Sequence, residues 1–165
     1  MSAAAMASAA LTAQTVKTMN DLKPEQKSMA ISLKLTGRLS AEPKGDYRQM
    51  RDLCFQVRTI DLGDAQSTEI PKNAFHSRHQ LENIVLPKAL KTIGTQAFFA
   101  CDKLQAVTIP ASVDTIGAAA FSGCKSMTEL TIDGAPVIGE YAFARLSGLT
   151  TVKVNSMTPP KASVS

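Results

Sequence analysis

The chain has 165 residues, enough for one domain with a continuous core and too few for two ordinary ones. Its eighteen basic and fourteen acidic side chains divide as eight and five over residues 1–56 and as ten and nine over residues 57–165, so the larger part is nearly neutral. With no Trp, two Tyr and no run of Lys or Arg, it lacks the basic stripe and stacking aromatics of a nucleic-acid binder, and no stretch is long and apolar enough for membrane insertion.

The first charge in the chain is Lys17, after an Ala- and Ser-rich start. A complete secretory signal needs a basic beginning and a stronger apolar centre. Residues 1–15 are therefore expected to be disordered or a residual leader. Ala13-Gln14-Thr15 reads either as a cleavage-region remnant or as part of a loose end, with disorder over about the first dozen residues.

Residues 16–56 read as an N-terminal cap. Pro24, followed by Glu25 and Gln26, suits the first turn of a short helix running to about Ala30. Leu33-Lys34-Leu35 alternates like a strand, and Asp46-x-x-Gln49 reads as a capping-box variant opening a second helix toward Leu53.

From residue 57 to 155 one unit recurs. Its strand-like core is Val57-x-x-Ile60-x-Leu62, Leu81-x-x-Ile84-x-Leu86, Leu104-x-x-Val107-x-Ile109, Met127-x-x-Leu130-x-Ile132 and Leu149-x-x-Val152-x-Val154. After the strand comes Ile70-Pro71-x-x-Ala74-Phe75, and then Ile-Gly-x-x-Ala-Phe ending at Phe98, Phe121 and Phe143. The phenylalanines stand 23, 23 and 22 residues apart. A period of this size marks a solenoid, in which each repeat buries its apolar face only against its neighbours. The phenylalanines are expected to stack as a spine, and Gly94, Gly117 and Gly139 to supply a backbone angle or a close approach. Between strand and isoleucine the gap shrinks from eight residues (Leu62 to Ile70) to six (Ile132 to Ile138), which predicts an outer loop. About four repeats are counted this way.

Three cysteines do not make a disulfide framework. Cys54, Cys101 and Cys124 share one slot of the unit, with Arg78 and Leu146 in the same slot elsewhere. Buried apolar thiols are the favoured reading, a Cys101–Cys124 bridge the lesser one. His76 and His79 are expected in a solvated turn rather than a metal site, and no nucleophile, paired carboxylates or phosphate loop supports an enzyme. No cofactor is expected.

Residues 156–165 form a Pro-containing tail or the start of a further repeat, and continuation beyond it is expected. That leaves an edge strand near Thr150–Val154 open for self-association.

The phrase L-x-x-I-x-L followed by I-G-x-x-A-F-x-x-C resembles the leucine-rich repeat, and within it the BspA-type family of bacterial cell-surface proteins, over about residues 53–155. The resemblance implies an α/β, right-handed leucine-rich-repeat solenoid with a parallel strand ladder on its concave side and a helix-strand cap. It also implies non-catalytic protein binding or adhesion at an extracellular or bacterial-surface location. The candidate ligand-binding residues lie on the ladder between the inward pairs: Asp61, Val85, Thr108, Thr131 and Lys153 in one row, and Asn83 and Glu129 in the other. The alternative is a structural spacer or assembly module without a ligand of its own. A carbohydrate module would want Tyr or Trp platforms, which those rows lack.

Overall fold

The computed structural model describes residues 13–42 and 45–163. The expectation made for the first dozen residues lies outside that range. The cap runs β1 (Gln14–Val16), a single 3-10 turn (Met19–Asp21), α1 (Pro24–Met29), β2 (Ser32–Leu35) and α2 (Asp46–Leu53). The repeats then alternate long and short strands. These are β3 (Thr59–Asp61), β4 (Glu69–Ile70), β5 (Asn83–Val85), β6 (Thr92–Ile93), β7 (Ala106–Ile109), β8 (Thr115–Ile116), β9 (Glu129–Ile132), β10 (Val137–Ile138), β11 (Thr151–Val154) and β12 (Lys161–Ala162).

Every strand pairing is parallel. One seven-stranded sheet has the order β1-β2-β3-β5-β7-β9-β11, and a five-stranded sheet has the order β12-β10-β8-β6-β4. The second sheet is absent from the sequence reading, which placed only a loop ahead of each isoleucine. Its strands are two residues long, too short for an alternating pattern, and exist because Ile70, Ile93 and Ile116 all bury completely at the same height of successive coils.

The core lies between the sheets. Phe75, Phe98 and Phe121 are fully buried and stack with ring centroids 5.2 and 4.9 Å apart, and Phe143 continues the stack at 5.5 Å although it is only partly buried. Tyr47 of α2 ends the spine edge-on to Phe75 at 6.0 Å, and its hydroxyl donates to Ser67 Oγ at 2.8 Å. Burial pushes that phenol well above its usual range.

Each coil turns twice through left-handed backbone, at Asn73 and Ser77, Gln96 and Ala100, Ala119 and Gly123, Tyr141 and Arg145. Only one of these eight is glycine, so the strain must be offset elsewhere. Inter-coil hydrogen bonds do this. The N–H groups of Asn73, Phe75 and Ser77 donate to the carbonyls of Thr95, Ala97 and Phe99, and the next two coils repeat the pattern. Gly94, Gly117 and Gly139 serve close approach and not a special angle: a Cβ on Gly117 would lie 2.4 Å from Thr95 N. Pro71 fills their slot in the first repeat, where β4 is the edge of its sheet and pairs with no earlier strand among the described residues.

The cap differs from its reading at α2. Asp46 is the first helical residue behind Gly45, and no side chain caps the helix N-terminus. The Asp46 carboxylate is buried and accepts from the backbone N–H groups of Met19 (2.6 Å) and Ser40 (2.8 Å), fastening the distant 3-10 turn and the segment just ahead of the helix. Gln49 joins Lys27 and Asn20 in the same manner.

Candidate functional site

Alternation along the long strands sends one set of side chains to the core and the other to the exposed face of the seven-stranded ladder. Register brings the predicted rows together. Thr59, Asn83, Ala106, Glu129 and Thr151 stand side by side across five strands. The second row pairs Lys34 with Asp61 and Asp61 with Val85, then resumes as Thr108, Thr131 and Lys153. It is broken between Val85 and Thr108, where no register pair forms.

Charge on this face is mostly paired off. At one flank Lys34 lies 3.2 Å from Asp61 and 3.0 Å from Asp64, and Lys88 lies 3.0 Å from Asp64. The two ammonium groups hold the Asp64 carboxyl below its ordinary range, and the carboxylates raise Lys34. At the other flank Lys153 lies 2.9 Å from Glu129. Asn83, Val85, Ala106 and Thr108 remain between them, uncharged and exposed, with Val85 at 51%. Thr131 belongs to the same row but is only 9% exposed, so little of it reaches a partner.

Away from the ladder, His79 Nδ1 lies 2.8 Å from the Asp102 carboxylate, and His76 stacks on Phe99 at 5.1 Å. Arg78, between them, is not in a solvated turn. It is 7% exposed and occupies the cysteine slot, where its guanidinium donates to the carbonyls of Arg51 (2.8 Å) and Cys54 at the end of α2. Burial lowers its pKa. The sequence signal for this was the single charged residue in an otherwise apolar slot.

Cys54, Cys101 and Cys124 are free and buried. Cys101 and Cys124 donate to the carbonyls of Phe75 and Phe98 in the preceding coils, at 3.1 and 3.2 Å. Desolvation pushes the Cys54 thiol up to about 11 and the Cys124 thiol up to about 12, and Cys101 is raised further. Among the described residues no three His, Cys, Asp or Glu side chains gather as a metal site, and no helix is long and apolar enough to cross a membrane.

Comparison with known proteins bears on the fold. A crystal structure of a leucine-rich repeat protein from T. pallidum is similar over 92% of this chain and 66% of that one, with a TM-score of 0.65 and 23% identity. A leucine-rich repeat protein from Bacteroides ovatus is similar over 76% of this chain and 31% of its own, with a TM-score of 0.56 and 21% identity. The chain thus spans just under two thirds of the first structure and under a third of the second. No curated protein matches it significantly. The family model described as "BspA type Leucine rich repeat region" matches residues 54–159 in six copies. With its parallel ladder, phenylalanine spine and 23-residue period, the chain belongs to the BspA-type leucine-rich repeat family.

Proposed function

We propose that this chain is a non-catalytic protein-recognition module, secreted or displayed on a bacterial surface, which engages its partner through the exposed face of the seven-stranded ladder. The observation that carries this reading is the charge arrangement. Cations and anions at both flanks neutralise each other across neighbouring strands, and an uncharged strip of Asn83, Val85, Ala106 and Thr108 is left between them. An ion-paired rim around a neutral centre is the anatomy of a protein interface, and aligned strands present it on a rigid frame. With few aromatics or Arg on the face, affinity from a single copy is modest, and display in many copies supplies avidity.

The test is binding of the purified domain to immobilised extracellular-matrix proteins and polysaccharides, beside a Val85→Glu/Thr108→Glu variant whose melting temperature matches the parent. Both positions are exposed, so the substitutions leave the core untouched, which a change at Thr131 would not. Protein binding that disappears in the variant supports the reading, and binding that persists removes the ladder face from consideration.

A second reading, assembly, is favoured by β11. Its core-row residues Val152 and Val154 are 54% and 46% exposed on the outermost strand of the ladder. Concentration-dependent sedimentation that a Val152→Lys/Val154→Lys variant abolishes would support self-association. A monomer at all concentrations would exclude it.

A further inference from the structure

The ladder is well paired on both flanks and parts in its middle. β3 and β5 share three register pairs, β7 and β9 four, and β9 and β11 four, whereas β5 and β7 share only Asn83 with Ala106. One contribution is visible in the chain. Asp133 closes β9 onto β7 by donating its N–H to Ile109 O at 3.0 Å, and Asn155 closes β11 onto β9 through Ile132 O at 2.9 Å. The residue in that position after β7 is Pro110, which has no N–H to give to the strand before it. After β5 the same position holds Pro87, yet the Asp61–Val85 pair still forms, with Leu62 N–H donating to Val85 O at 2.9 Å. The proline thus removes the last pair of a ladder and does not by itself unpair Val85 from Thr108.

The parting forms an open cleft of about 350 Å3, walled by Val85, Ala106 and Thr108 and floored by Ile84 and Val107. Ile84 reaches 7% exposure there, against 0% for Ile60 in the same row. At the rim stands Asp133, whose Oδ1 accepts from Asn155 Nδ2 at 2.8 Å and which, among the described residues, is in no ion pair. The neighbouring charges of the face are already matched, so this carboxylate is the one left to attract a cation.

We propose that the β5–β7 parting is a side-chain socket for an aliphatic residue of an extended polypeptide, with a neighbouring basic residue of that polypeptide held by Asp133. This rests on the reading of the ladder face as a protein-recognition surface. The slot runs along the strands, so a chain lying parallel to them turns every second side chain toward it. Its lining is mostly apolar, with Ile84, Val85, Leu86, Ala106 and Val107 beside the polar Asn83 and Thr108, and carries no aromatic platform of the kind a sugar ring stacks on, which favours a Leu- or Ile-bearing segment.

The test uses amide-resolved NMR titration of the full chain with capped hexapeptides of threonine that carry one Leu, and a Lys two residues beyond it. Shifts confined to Asn83, Val85, Ala106 and Thr108 are expected. Affinity should fall about tenfold or more when the probe's Leu becomes Ala. Val85→Glu should abolish the shifts at unchanged melting temperature. Asp133→Asn should erase a roughly twofold to fivefold preference for Lys over Gln in the probe. Absence of shifts at millimolar peptide, equal response to Leu and Glu probes, or the same amides moved by a neutral oligosaccharide instead would overturn the socket. Its failure is separable from that of the broader reading. Partner binding lost in Val85→Glu/Thr108→Glu without any peptide response retires the socket alone, whereas peptide shifts with partner binding unaffected retire the ladder as the partner's site.

Discussion

At the scale of the residue, Arg78 carries the clearest lesson. The repeat puts a cysteine in its slot because the thiol reaches a carbonyl of the coil before, but the coil before Arg78 is the end of α2, with two carbonyls to satisfy. A long cation is the better match for a helix C-terminus. Arg78→Cys, although it restores the repeat, should therefore destabilise the fold by about 1.5–3 kcal/mol, the range for a hydrogen bond from a charged group, as measured by urea denaturation. An unchanged midpoint would mean the two carbonyls are satisfied without it. The cysteines make a separate prediction. A free thiol ionises near 8.5, whereas Cys54 and Cys124 hold their protons to about 11 and 12. As pH rises the unfolded chain loses its thiol protons first, so this stability is full below the unfolded value and is lost as pH climbs toward the folded ones. The urea midpoint should decline from about pH 8.5 upward. A thiol reagent should label essentially none of the three cysteines natively and all three after unfolding. Native labelling would contradict their burial.

At the scale of the element, the spine and the ladder behave differently. The phenylalanine stack was readable because one large residue recurs at a fixed period, and each ring meets its copy nearly parallel, with 18°, 6° and 10° between planes. Phe121 has rings on both sides and no exposure, whereas Phe143 is partly open. Phe121→Ala should cost about 3–5 kcal/mol. Phe143→Ala should cost less, under about 3 kcal/mol, because part of its surface is already wet. Equal losses in thermal unfolding would show that the stack is not the asymmetric array described. β1 was not readable: three residues with no period of their own become a strand only because Leu33–Leu35 offers an edge. The broken row between Val85 and Thr108 was not readable either. Sequence alignment sets the two residues in equivalent slots, but whether equivalent slots pair depends on how the two strands meet in space, which a local pattern does not contain.

At the scale of the whole molecule, each coil rests on its neighbours, so protection of the backbone should follow position along the stack. The core row is fully buried at Ile60 and Leu62 and half exposed at Val152 and Val154. Amide hydrogen exchange should thus be slowest around β3 and fastest at β11, and uniform protection would point to cooperative unfolding of the entire stack. By itself the sequence determined the repeat, its period, the apolar residues of the ladder and the spine, and the family that these define, because all of them are sums of local patterns repeated until they are unmistakable. The tertiary structure alone decided what depends on one coil meeting the next. That includes the second sheet, the left-handed residues kept by inter-coil hydrogen bonds, the carboxylate of Asp46 spent on distant amides, and the neutral parted strip on the ladder. Most of those outcomes rest on contacts between residues more than twenty positions apart, whose energies no local window of the chain contains.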